Sequence, residues 1–132
     1  MYAKRQPLLV PEQEGLVTRC IEIGLIVHRE LGPGFRERVY QRAYCLELET
    51  RGVSFEAEKR VQVKYKDWHI PGQTIDLVVG GVVLVEFKAV PRLRPLHDAQ
   101  VRSYLKTTGL RVGLLMNYNV RLFKDGLKRI VC

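Results

Sequence analysis

The segment from Thr74 to Lys88 constrains this chain more than any other. Two apolar runs, Thr74 to Val79 and Val82 to Lys88, flank Gly80-Gly81. Runs of this length bounded by glycines read as two buried strands joined in a hairpin. The second run ends in Glu86-Phe87-Lys88, the only acid-x-Lys triplet in the chain. Residues two apart on a strand project from one face, so Glu86 and Lys88 share one. Asp76 stands on the partner run. An ideal two-residue turn at Gly80-Gly81 would set Asp76 opposite Val85 and point the two acids apart. A three-residue loop or a bulge brings them to one face, and adjacent glycines make either accessible.

Two carboxylates and an ammonium group on one face suit phosphodiester hydrolysis. Carboxylates hold hard divalent cations such as Mg²⁺. Such a cation acidifies a bound water and neutralises phosphoryl charge. A lysine orients that water or stabilises developing negative charge. The bland alternative is an exposed ion pair at a strand end, worth little. A triplet that closes a buried run is harder to explain that way.

The flanking sequence supplies the layers. A first helix is predicted from Pro11 to Leu31, with Pro11 at its first position and Glu12 and Glu14 at the positive end of its dipole. Leu16, Val17, Cys20, Ile21, Gly24, Val27 and Leu31 recur at helical spacing. Gly32-Pro33-Gly34 makes a corner, and a second helix runs from Phe35 to Arg51 with Gly52 as its stop. Its apolar face carries Val39, Ala43, Leu46 and Tyr44. Val61, Val63 and Tyr65 alternate with polar residues, the period of a half-exposed strand. Pro91 to Pro95 is a basic loop, and a third helix runs from Leu96 to Thr108, stopped by Gly109. A strand from Val112 to Tyr118 leads to a last hairpin at Asp125-Gly126. The order α-α-β-β-β-α-β-β predicts an α/β fold, a central mixed β-sheet flanked by helices.

At 132 residues, one domain is expected, with residues 1–10 as a loose arm. No stretch is long enough to span a bilayer and no apolar segment follows the N-terminal charges, so neither membrane nor secretory signal is expected. Cys20, Cys45 and Cys132 form neither a zinc pattern nor a disulfide framework, which points to a reducing cytoplasm. The formal charge is +8 and the isoelectric point near 9.7, a balance that favours phosphate backbones as well as plain solubility.

Two helix motifs add to the triplet. The second helix opens with Gly34-Phe-Arg-Glu37-Arg-Val-Tyr40, where Glu37 and Tyr40 share a face. Taken alone, each reads more readily as structural: Glu37 as a dipole-complementing first-turn acid, Tyr40 as a half-buried core aromatic. The third helix carries Gln100 and Tyr104 one turn apart, with His97 on the same stripe. His28 reads as a histidine at a helix end near carbonyl groups.

Together these residues resemble the GxxExxY family, placed in the PD-(D/E)XK nuclease superfamily. The likeness runs from about Val27 to Val131. It includes His28-Arg-Glu-Leu-Gly32-Pro-Gly34, the Gly34, Glu37, Tyr40 motif, Asp76-Leu-Val-Val, Glu86-Phe-Lys88-Ala and Ala99-Gln100 with Tyr104-Leu105. It continues through Gly113-Leu-Leu-Met-Asn117 and Gly126-Leu-Lys-Arg129-Ile. The Gln-x-x-x-Tyr pair resembles a motif of RecB-like nucleases. Ile75 stands where the superfamily name has proline, Phe87 where Leu or Val is commoner, and Thr74 where an arginine is expected.

The resemblance implies the restriction-endonuclease-like fold and a nuclease using Mg²⁺ or Mn²⁺. It makes Asp76 and Glu86 metal ligands and Glu37 the helix-borne acid that completes or supports the site. Lys88 becomes the catalytic lysine, with Gln100 and Tyr104 supporting or contacting phosphate. Nucleic acid is the implied partner, DNA ahead of RNA. Arg92, Arg94, Arg102 and Lys106 are candidates to hold phosphates. No reader of base edges stands out, so no sequence specificity is expected. The competing expectation is an inactive nucleic-acid-binding module or accessory subunit retaining the fold. The lack of a separate recognition domain also fits a homodimer.

Overall fold

The computed structural model describes residues 9–132, so most of the expected N-terminal arm lies outside the described residues. Leu9 is already buried in the core, and Val10 precedes the first helix. Helices α1 (Pro11–Leu31) and α2 (Glu37–Thr50) lead into β1 (Phe55–Tyr65), β2 (Trp68–Val79) and β3 (Val83–Lys88). Helix α3 (Pro95–Thr108), β4 (Val112–Asn117), a 3₁₀ turn (Phe123–Asp125) and β5 (Leu127–Val131) complete the order expected from sequence. The five strands lie in sequence order, β1-β2-β3-β4-β5, antiparallel except for the central β3–β4 pair. A parallel pair needs a crossover, and α3 provides it.

Strand alternation distributes side chains between two cores. Leu77, Val79, Val83, Val85, Phe87, Leu114 and Met116 pack under α1 and α2. Val78, Leu84, Leu115 and Ile130 pack under α3, with Val101, Tyr104 and Leu105. Burial of each such aliphatic side chain contributes about 1.5–3 kcal/mol. Gly113 lets α3 lie close, since a Cβ there would stand 2.7 Å from Val101 Cγ1.

Helix α2 buries only part of the face expected, Tyr44 with Ala43 packed against the core. Val39 and Leu46 are exposed, while Tyr40, Tyr44, Cys45 and Leu48 are buried. The tyrosines bury larger rings, and each hydroxyl finds a carbonyl: Tyr44 donates to Cys20 O at 2.7 Å and Tyr40 to Gly32 O at 2.6 Å. A buried hydroxyl so satisfied carries no desolvation penalty. Tyr40 also accepts the Phe35 N–H at 3.1 Å and stacks on Tyr118 at 4.4 Å. It ties the glycine corner to the core.

Two further expectations are corrected. Asp125-Gly126 is no tight hairpin turn: β4 and β5 are joined across residues 118–126, and Gly126 has φ −106. Its place is fixed by close approach, because a Cβ would collide with the Asn117 carbonyl. The strand expected from Thr74 begins at Trp68, and its partner begins at Phe55. Pro71 lies within β2, where β2 pairs only with β1, so the missing proline N–H costs no inner ladder bond. Gly72, at φ +124, absorbs a bulge.

Candidate active site

The β2–β3 loop has three residues, not two. Val79 pairs with Val83, so Gly80, Gly81 and Val82 form the connection, with both glycines at positive φ. The register Leu77↔Val85 then sets Asp76 opposite Glu86. Ladder pairing of β2 with β3 ends at Leu77. Beyond it the carboxylates replace the backbone bonds: Asp76 N–H donates to Glu86 Oε1 at 2.9 Å, and Phe87 N–H donates to Asp76 Oδ2 at 3.0 Å. Two acids thus sit in the fork where the strands part, each held by the opposite strand's amide.

The second strand boundary of the fork is strained. Glu58, between the β1 residues paired with Leu77 and Ile75, has φ +53. Side chains change sides here. Phe55 packs with the α1–α2 core and Val61 with the α3 core, although their alternation is in phase. Leu77 and Ile75 split in the same way. A left-handed non-glycine residue costs about 1–3 kcal/mol, and such strain gathers at functional sites. Gln41 Nε2 bridges the two strands, donating to Glu58 Oε1 at 2.8 Å and to the Asp76 carbonyl at 3.2 Å. Neither Gln41 nor Glu58 was selected from sequence. Positive φ at a glutamate has no sequence signal, and Gln41 is one polar residue among many on a surface helix.

The electrostatics follow from burial. Glu86 is 3% exposed, and burial together with the Asp76 charge pushes its carboxyl up to about 8. Asp76 is also raised, again by burial first, against the opposing pull of the Phe87 amide. The Lys88 charge favours ionisation of both acids. Tyr104 faces the same pair: burial and the charges of Glu86 and Asp76 raise its hydroxyl, which accepts a bond from Gln100 Nε2 at 3.1 Å. The structure therefore brings together Asp76, Glu86, Lys88, Gln100 and Tyr104.

Glu37 does not join them. It is exposed at the first turn of α2, in a shallow hollow with Gly34, Phe35, Arg36, Arg38 and Ala89. Among the described residues no three His, Cys, Asp or Glu side chains stand close enough to hold a metal. As the acid in the first turn of α2, Glu37 complements the helix dipole.

Arg92, Arg94 and Lys106 are exposed. Arg102 is exposed too but is ion-paired with Asp98 at 2.7 Å, which also holds Lys128 of β5 at 2.7 Å. His28 and His97 both have structural partners. His28 Nε2 lies 2.7 Å from the Val120 carbonyl, and His97 Nδ1 accepts the Arg94 N–H at 2.9 Å, capping α3. All three cysteines are free. No described helix is long and apolar enough to cross a membrane.

Two carboxylates both pushed up by burial, Glu86 further by the Asp76 charge, form a hard-oxygen donor pair short of positive charge. That chemistry fits a divalent cation. A family model for the PD-(D/E)XK nuclease superfamily matches residues 14–130. No curated protein and no solved structure matches the chain.

Proposed function

From a chain that belongs to the PD-(D/E)XK nuclease superfamily, we propose a divalent-metal-dependent nuclease that hydrolyses phosphodiester bonds of DNA in the cytoplasm, RNA being the less favoured substrate. The carrying observation is the Asp76–Glu86 pair, exchanged across the strand fork beside Lys88.

In this reading Asp76 and Glu86 hold Mg²⁺ or Mn²⁺. When bound, the cation acidifies water and offsets phosphoryl charge. The backbone amides of Asp76 and Phe87 fix the carboxylates, so little reorganisation is needed to present them. Lys88 lies on the same face as Glu86 and supplies positive charge toward the reacting phosphate. Tyr104, oriented by Gln100, offers a hydroxyl beside the acids. Arg92, Arg94 and Lys106 supply phosphate contacts without base readout.

The test is cleavage of labelled single-stranded, duplex and branched substrates with Mg²⁺, Mn²⁺ or EDTA. Products that vanish with EDTA and with Glu86→Ala support the enzyme. Tight, metal-independent binding without products assigns the fold to a binding module instead.

A further inference from the structure

The β1–β2 ribbon outruns the sheet. β3 pairs with β2 only from Leu77 to Val79, while β1 and β2 stay paired to Tyr65↔Trp68. Near the free end Tyr65 is 55%, Trp68 65% and Ile70 48% exposed. Directly opposed residues share a face. The pairs Tyr65↔Trp68 and Val63↔Ile70 therefore form one aromatic and aliphatic face, and Lys64↔His69 the other. The Tyr65 and Trp68 rings are near parallel, 23° apart, with centroids at 6.4 Å. Lys66, at φ +52 in the turn, sets its Nζ 5.5 Å above the Tyr65 ring.

We propose that this ribbon tip is a second nucleic-acid contact, on which unpaired bases of a single strand stack against Trp68 and Tyr65. This rests on the nuclease reading and extends it. Charge selects the occupant: Lys59 to Ile70 contains four Lys or Arg residues and one acid, Asp67. Aromatic faces among cations are how proteins hold single strands, bases on rings and phosphates on cations. The cores of protein–protein contacts are instead depleted in lysine, which disfavours a second copy of this chain.

The ribbon also points the right way. Val61, Val63 and Tyr65 share a face of β1, and Val61 packs with the α3 core. Glu86 alternates in phase with Leu84, which packs in that same core. The aromatic face thus continues the side of the sheet that carries the acids. Trp68 precedes Asp76 by eight residues on β2, roughly 26 Å at 3.3 Å per residue. The tip grips a strand away from the cut, through stacking that needs no base-edge contact.

Trp68 is the chain's one tryptophan, so its fluorescence reports this contact alone. The experiment titrates metal-free protein with oligo(dT) or a blunt duplex, following Trp68 emission and, separately, anisotropy of labelled oligonucleotide. Oligo(dT) is expected to quench Trp68 and the duplex to do so weakly. Trp68→Ala is expected to weaken oligo(dT) binding about tenfold with unchanged melting, as loss of one stacked base requires. Oligo(dT) binding with Trp68 silent and Trp68→Ala equal to wild type overturns the proposal, as does no binding at all. A dimer that Trp68→Ala dissociates in sedimentation, with nucleic-acid affinity unchanged, overturns it in favour of self-association. The assay needs neither metal nor turnover. Quenching by a chain that cleaves nothing sinks only the nuclease reading, and cleavage with Trp68 silent sinks only this one.

Discussion

Asn117 holds Val90 through both of its polar groups: Val90 N–H donates to Oδ1 at 3.0 Å, and Nδ2 donates to the Val90 carbonyl at 2.9 Å. Asn117 is buried at the end of β4 and pairs with Lys88 across the parallel ladder. The chain is thus fixed two residues beyond the lysine, where β3 ends. Asn117→Ala strands three backbone groups, the Val90 N–H and carbonyl and the Asn119 N–H, and is expected to cost about 1–3 kcal/mol. Thermal melting and single-turnover cleavage should both fall. An unchanged melting temperature would remove this positioning role.

The raised carboxyl of Glu86 has a signed consequence for metal-free protein. Its folded pKa, about 8, lies above the unfolded value near 4.3, so the folded state binds the extra proton between them. Stability should therefore fall as pH rises from about 4.5 to 8 and then level off. Glu86→Gln cannot ionise and can still accept the Asp76 N–H. It is expected to exceed wild type by on the order of 1–3 kcal/mol at pH 8 and to lose that advantage near pH 4. Denaturant titrations at both values read this directly. The same variant should weaken Mn²⁺ binding by calorimetry, because an amide replaces an anionic ligand.

Lys88→Met keeps most of the side chain's length and deletes its charge. Turnover should drop by about 10²–10⁴-fold, while Mn²⁺ and substrate affinity change little. Full cleavage with normal metal affinity would falsify the role given to Lys88.

Glu58 pays for its left-handed backbone, and the cost can be isolated by comparing two truncations. Glu58→Ala and Glu58→Gly both lose the bond to Gln41. Only glycine relieves φ +53. Glu58→Gly should be the more stable by about 1 kcal/mol. Equal stability would mean that the strand relaxes without strain.

Arg92 and Arg94 are exposed beside the start of α3. Replacing both with alanine should weaken nucleic-acid binding and flatten its dependence on salt, as fewer counterions are released. An unchanged slope in anisotropy titrations at several salt concentrations assigns both to solvent.

The sequence by itself determined the order of elements and the residues that matter most in the fork. Apolar runs between glycines must be strands, and the alternation that buries Val83, Val85 and Phe87 leaves Glu86 and Lys88 on the other face. It also showed that Asp76 and Glu86 share a side only if the Gly80-Gly81 turn holds an extra residue. Tertiary structure supplied that residue as Val82. What only the folded chain decided depends on packing between distant segments. Val39 and Leu46 look like core residues by period, yet Tyr40 and Tyr44 claim that side because their hydroxyls reach carbonyls on the first helix and the corner after it. Glu58 and Gln41 reach Asp76 only because β1 lies beside β2 and α2 over both, contacts made across 17 and 35 residues of chain. Local periodicity reports which side of one element is apolar. It carries no information about which distant polar group a side chain will meet.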